Sequence, residues 1–291
     1  MANLKEIKNR ITSIASTMQI TSAMKMVSAA KLKRAQDALV QMRPYAEKLH
    51  EILGNLSATL DLSENAFSEQ REGKKVYIIA VTSNRGLCGG FNNNIIKKVN
   101  VLLNTEFADF DTKVIAIGKK ANDSFKNSEY NFRPDGIGKA EDMFNDLTFN
   151  RSSETAQYLM DEFMAGNVDK VVVVYNKFIN AASQEVLTEQ FLPIVPNESE
   201  GANGGGDYIF EPSKMEIVED LIPKSLKIQL FKALLDSHAS EHGARMTAMH
   251  KATDNADDMK RSLTLQYNKA RQAAITNEIL EIVGGAEALN G

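Results

Sequence analysis

Apolar positions near both ends of the chain recur at steps of three and four, whereas in the middle they gather into short unbroken runs. From the N-terminus the series is Leu4, Ile7, Ile11, Ile14 and Met18, then Leu32, Ala35, Leu39, Met42, Ala46, Leu49, Leu53 and Leu56. That spacing predicts one amphipathic helix over 1–57 with a coiled-coil seam. Between Met18 and Leu32 the grid falls on Thr21, Lys25 and Ser28, while Ile20, Met24 and Val27 lie on a neighbouring face. The seam is expected to break there, as it does where a helix packs on something besides its partner. Pro44 removes a backbone donor, but the seam resumes at Ala46, which predicts a bend and not an end.

The other end repeats the theme in Met246, Met249, Thr253, Ala256, Leu263, Ala270 and Ala274. Residues 213–291 read as a helix that would extend roughly 110 Å if unbroken, at ~1.5 Å per residue. Its grid slips by one residue between Leu235 and Met246. Because both terminal helices flank a middle domain, they are expected to run antiparallel. Setting Leu56 beside Ser213 places Met1 near Asn268, and the break at 21–28 against 241–248. The last twenty or so residues then overhang. There Ile275, Ile279, Ile282, Val283, Ala286 and Leu289 form an apolar stripe that needs a cover from another chain, from residues 1–10 folded back, or from a second copy.

Between the helices the period changes. Runs at 76–81 (VYIIAV), 113–118 (KVIAIG) and 171–179 (VVVVYNKFI), with a fourth segment at 186–194, predict strands. They alternate with helical patterns at 91–103 and 153–164, which implies a mostly parallel sheet covered on both faces. The polar run 63–73 and the Gly-rich segment 197–206 punctuate the domain's edges, and 134–150 has no readable part. The predicted fold class is α/β: an antiparallel coiled coil of the segments 1–57 and 213–291, with an inserted, small, Rossmann-like domain at 74–212.

Composition narrows the function. The chain has 291 residues and a net charge of −4, enough for a packed core and a poor match to bulk nucleic-acid binding. Residues 1–50 carry nine Lys or Arg and three Asp or Glu, so this arm is +6 and the remainder −10. One cysteine gives no internal disulfide and suits a reducing compartment. No apolar run reaches the ~18 residues of a membrane span, and residues 1–10 lack a signal peptide's apolar core. The expected placement is cytosolic, or against a membrane through a partner.

Three motifs invite chemistry. Asn84 to Gly90 (NRGLCGG) follows a strand and precedes a helix, like a phosphate loop. It lacks the Gly-Lys-Ser/Thr that would meet phosphate and magnesium, and also the dinucleotide spacing, so a tight turn is the better reading of Gly86, Gly89 and Gly90. Cys88 lies at a helix N-terminus, where a thiolate could be favoured, but no histidine is near in sequence and a structural thiol is expected. His238-Ala-Ser-Glu241-His242 matches an inverted zinc-peptidase pattern, without a third ligand or a cavity on a coiled-coil helix. Glu241 is instead expected to pair with a base across the coil, with Lys25 and Arg245 as candidates. Lys31 to Arg34 reads as a solvated face. No catalytic residue, metal ligand or cofactor site is expected.

Three separated stretches resemble one family. They are Ile7-Lys-Asn-Arg-Ile11 with Ile20 to Val27 (ITSAMKMV), then Arg85 to Gly90 (RGLCGG), then Tyr267 to Thr276 (YNKARQAAIT) followed by Glu278, Glu281, Gly285 and Ala286. Together they are similar to the gamma subunit of bacterial-type F-type ATP synthases, the central rotor shaft. The resemblance implies that the coil enters a ring of alternating alpha and beta subunits, with the α/β domain on the membrane rotor ring beside an epsilon subunit. It implies no nucleic acid, no bond chemistry and contact with the membrane only through partners, at its cytoplasmic face. Carried over by motif, Arg271, Gln272 and Thr276 would meet a loop of the catalytic subunit, and Met24 and Lys25 its moving lever. Tyr208, Phe210 and Glu211 would form the foot on the membrane ring. Lys25 stands where many members carry an acid, and Cys88 lacks the second thiol of the chloroplast-type regulatory pair. Two other readings stay open: a coiled-coil homodimer scaffold, and an α/β nucleotide-binding enzyme with helical arms.

Overall fold

The computed structural model describes residues 4–57, 66–71, 73–137, 139, 142–194 and 214–290. In chain order the elements are α1 (Leu4–Ser57), β1 (Lys75–Val81), α2 (Phe91–Asn104), β2 (Asp111–Ile117), α3 (Lys119–Phe125), a 3-10 turn at Asp135–Ile137, α4 (Phe149–Met164), β3 (Lys170–Phe178), β4 (Gln184–Leu192) and α5 (Lys214–Asn290). Both long helices run through a proline, Pro44 in α1 and Pro223 in α5. The chain divides into two compact units, Met1–Ser28 with Met246–Gly291, and Ala29–Arg245.

The larger unit is built on a four-stranded sheet of order β2-β1-β3-β4. β1 pairs in parallel with β2 and with β3, and β4 closes the edge antiparallel to β3. Each apolar run divides between two cores, because successive side chains of a strand point to opposite faces. Ile79, Val81, Val173 and Tyr175 face α4 residues Leu159, Met160 and Phe163 and α5 residues Ile222, Leu226, Leu230 and Leu234. Ile78, Ala80, Val172 and Val174 face Ile95, Val99 and Leu102 of α2 and Ala121 and Phe125 of α3. The first core therefore draws on α5, so the sheet is not closed by the middle segment alone. The stretch 134–150 also finds a place: Met143, Phe144 and Leu147 pack on this core, and Phe149 meets Phe231 edge to face.

In the smaller unit α1 and α5 bury Ile7, Thr21, Ser28, Met249 and Ala256. Here the sequence-based expectation needs correction. The seam does not break at 21–28, because Thr21 and Ser28 are themselves buried while Ile20 and Val27 stay mostly exposed. Small hydroxylic residues replace aliphatic ones without loss of hydrogen bonding. Thr21 Oγ1 lies 2.8 Å from Thr253 Oγ1, and the Ser28 hydroxyl donates to the Met24 carbonyl at 2.8 Å. The Thr21–Thr253 pair also resets the register. Stepping in opposite directions from it brings Leu4 level with Ala270, five residues further along α5 than the flush alignment of Leu56 with Ser213 predicts. Burial along α5 agrees, since every described side chain from Arg271 to Glu287 is exposed.

Candidate functional site: α5 seated at the ends of the parallel strands

In an open α/β sheet the place for a ligand is the crevice outside the carboxyl ends of the strands, where successive connections diverge to opposite sides. The strand order puts that point between β1 and β3. β1 leaves it through the turn 82–90, and β3 leaves it through the hairpin to β4.

The turn holds itself together. The Ser83 amide donates to Asn92 Oδ1 at 2.9 Å, and the Ser83 hydroxyl lies 2.6 Å from the Arg85 carbonyl. Asn92 Nδ2 donates to Cys88 Sγ at 3.2 Å. Leu87 and Gly89 both take positive φ, 62° and 59°. For Gly89 that conformation is free of penalty; for Leu87, which is 64% exposed, it is a strained one. On its other flank the turn caps α3. The amides of Ala121, Lys119 and Lys120 donate to Thr82 Oγ1, Asn84 Oδ1 and the Ser83 carbonyl at 2.8, 3.1 and 3.2 Å. The first amides of α3 are thus satisfied by the chain's own oxygens. Cys88 is buried, and burial pushes its thiol pKa up, with Arg245 and Ser83 opposing. It is a packed thiol and not an activated nucleophile.

The crevice itself is filled by α5. The Ser240 hydroxyl donates to the Asn176 carbonyl at 3.1 Å. Gly243 lies so close to the hairpin that an added Cβ would meet the Ala181 carbonyl oxygen at 3.2 Å. Ala244 packs with Cys88 and Phe91. Arg245 completes the seat: its Nη2 donates to the Arg85 carbonyl at 3.1 Å, its Nε to the Gly86 carbonyl at 3.3 Å and its Nη1 to Glu241 Oε1 at 2.6 Å. Glu241 accordingly finds its base one turn away on its own helix, not across a coil. Burial raises the pKa of this carboxyl and the adjoining guanidinium works against that shift. Taking so much charge out of water is costly, and only multiple hydrogen bonds in fixed geometry offset it.

The two histidines of the H-x-x-E-H pattern lie in the same packing. Arg245 Nη1 is also 3.3 Å from His242 Nδ1, and His242 Nε2 is 3.1 Å from His238 Nε2. A guanidinium can only donate, so His242 carries its proton on Nε2 and donates it to His238. His238 stacks on Phe144 with ring centroids 5.9 Å apart. Desolvation, helped by Arg245 and Lys31, lowers His238 to about 4 and His242 to about 3. With Glu241 committed to Arg245, the triplet does not converge on a common point. Among the described residues no three His, Cys, Asp or Glu side chains form a metal-binding group.

From Ala233 to Arg245 almost every α5 residue is buried, including Asp236, Glu241, His242 and Arg245. A heptad stripe presupposes one exposed face, and this segment has none. That is why the grid slips between Leu235 and Met246.

The other sequence-predicted residues are dispersed. Met24 and Lys25 are half-buried on α1, whereas Arg271, Gln272 and Thr276 are exposed on α5, with the Thr276 hydroxyl donating to the Gln272 carbonyl at 2.9 Å. Tyr208, Phe210 and Glu211 lie outside the described residues. The sequence reading missed the contacts from Ser240 and Arg245 to the strand ends, which join residues far apart in the chain. The one signal for them was the grid slip, coinciding with a helix stretch polar on several faces.

Fold and site together define a coiled-coil protein with an inserted α/β domain whose ligand crevice is closed by the chain's own helix. The family model described as ATP synthase matches residues 3–289. The ATP synthase gamma chains of Flavobacterium psychrophilum and Flavobacterium johnsoniae are 62% and 61% identical to it, each over the whole of both chains. A solved chain of the Euglena gracilis mitochondrial ATP synthase (OSCP/F1/c-ring) superposes with a TM-score of 0.66 at 24% identity, covering 98% of this chain and 94% of that one. A chain from the central stalk and c-ring of the Tetrahymena thermophila enzyme gives 0.56 at 22%, covering 80% and 99%. The protein belongs to the ATP synthase gamma chain family.

Proposed function

We propose that the chain is the central rotating stalk of an F-type ATP synthase, coupling ion-driven rotation of a membrane ring to conformational change in the catalytic subunits. The observation that carries this beyond family membership is the end of α5. Ile275, Ile279, Leu280, Ile282 and Val283 are between 48% and 67% exposed, with no part of the described chain over them. A stripe of that kind calls for a sleeve supplied by other chains. An apolar sleeve suits turning, because the hydrophobic effect has no preferred direction, whereas the few polar contacts would set angular stops.

One asymmetric shaft cannot present the same face to three equivalent neighbours. It therefore holds them in three conformations and biases their nucleotide affinities, and rotation permutes those states. On this reading the three-part division at 1–57, 74–212 and 213–291 separates the two coil strands from the domain that rides on the membrane ring. The partners are the alpha and beta subunits of the catalytic hexamer, an epsilon subunit and the ring, at the cytoplasmic face of the membrane. The chain itself performs no bond chemistry. Arg271, Gln272 and Thr276 supply polar contacts to the catalytic subunit's loop, Met24 and Lys25 meet its lever, and Tyr208, Phe210 and Glu211 form the foot.

The test is Gln272→Ala in the assembled complex. Removing one interfacial hydrogen-bonding group from a contact that sets an angular stop should slow coupled ATP turnover by about threefold or more. Turnover equal to that of the parent complex would remove Gln272 from the contact. The homodimer alternative is separated by sedimentation of the purified chain, since a scaffold would dimerise without partners.

A further inference from the structure

Resting on the rotor reading, the geometry points to a mechanical role for the crevice: it is the joint through which the α/β domain grips α5, and Arg245 is its positioning residue. Three observations carry this. First, α5 lies where a ligand lies in folds of this type, between the exits of β1 and β3. Second, the seat is made largely of backbone. Ser240 binds the Asn176 carbonyl, Arg245 binds the carbonyls of Arg85 and Gly86, and Gly243 fits against the backbone of Ala181. Asn176 belongs to β3, and the other three residues lie in the loops that leave β1 and β3, so a sideways or rotary force on the helix meets backbone at the sheet's exits. Third, the grip surrounds the helix. Phe144 covers His238 on one side and Cys88 and Phe91 cover Ala244 on another.

The guanidinium explains the choice of residue. Apolar packing alone resists separation of a helix from its seat but resists rotation about the helix axis poorly, because one apolar contact exchanges for another at little cost. A planar fork that donates to two carbonyls and a carboxylate has one satisfied orientation. Turning α5 by even a fraction of a residue strands the two donors that reach the Arg85 and Gly86 carbonyls in a buried place, while the bond to Glu241 turns with the helix, and breaking such an arrangement is expensive. Glu241 holds the fork from the opposite side. The turn 85–90 then serves as the socket of the joint, which accounts for a phosphate-loop shape that has no phosphate chemistry.

The experiment uses the assembled synthase in membrane vesicles, with ATP hydrolysis and ion pumping measured together, and single complexes turning under load. Arg245→Ala should keep hydrolysis near the parent rate while ions pumped per ATP, and stall torque, each fall about threefold; Arg245→Lys, which keeps the charge but loses the fork, should fall between. Unchanged pumping per ATP and unchanged stall torque in Arg245→Ala would overturn the joint. If that variant fails to assemble, Arg245→Lys decides alone, with a parental stall torque overturning the proposal. A parent complex that hydrolyses ATP without turning would refute the rotor reading itself, an outcome distinct from a turning parent with an unaffected Arg245 variant.

Discussion

Lowering the pH from 7 to 5.5 should destabilise the isolated chain by about 1 kcal/mol for each of His238 and His242. In the folded chain these rings titrate at about 4 and about 3, depressed first by burial and then by neighbouring cations. Unfolded, each returns to the ordinary histidine value near 6.5. Between those limits the unfolded chain binds the extra proton, so stability rises with pH and is lost as the medium is acidified through 6.5. Structure gives the reason. Protonating His238 would set its Nε2–H against that of His242 across 3.1 Å, and protonating His242 would set its Nδ1–H against Arg245 Nη1 across 3.3 Å, with Lys31 adding to the positive field. Asp236 and Glu241, whose pKa values burial raises, act in the opposite direction as they take up protons. Urea unfolding at several pH values measures the effect. The double variant His238→Gln/His242→Gln should flatten the slope across this range, and a parental slope in that variant would mean that other groups carry it.

Much of this arrangement was readable in the sequence, and the limits were physical. Strands such as 171–179 and seam positions such as Ile7 and Ala256 are set by period and burial, which act locally. The register of the coil was not readable from the flush alignment, because that alignment assumed both helices enter the domain at one level. A single polar contact, Thr21 with Thr253, reports the true offset. Thr21 and Ser28 looked like a break because a hydropathy pattern treats a hydroxyl as polar even when it bonds within the helix pair. Arg245 illustrates a third limit. Its i−4 partner Glu241 was within reach of a sequence argument, but its bond to the Arg85 carbonyl spans 160 positions and depends on where the sheet ends. The exposed stripe from Ile275 to Val283 was the most readable functional feature, since it is defined by spacing alone.

Two glycine-to-alanine substitutions should act with opposite sign. Gly118 connects β2 to α3 at φ +95°, and an added Cβ would stand 2.1 Å from the Thr82 carbonyl oxygen and 2.7 Å from its carbon. Backbone cannot be moved aside as a flexible side chain can. Relief would require opening the β1 exit, where the Thr82 amide donates to the Ile117 carbonyl at 2.8 Å and the Ala121 amide to Thr82 Oγ1 at 2.8 Å. Strain in φ adds to the clash, so Gly118→Ala should cost about 3 kcal/mol or more. Because Arg85 and Gly86 follow Thr82 by only a few residues, the same displacement would disturb the seat of Arg245. Gly284 is the control: it sits in the exposed end of α5, and an added Cβ would meet nothing within 4 Å. There alanine restores helix propensity, and Gly284→Ala should be neutral or stabilising by up to about 1 kcal/mol. Urea midpoints of the two variants against the parent decide the matter. A Gly118→Ala chain as stable as the parent would show that the β1 exit yields easily, and a socket that yields could not hold a helix under torque.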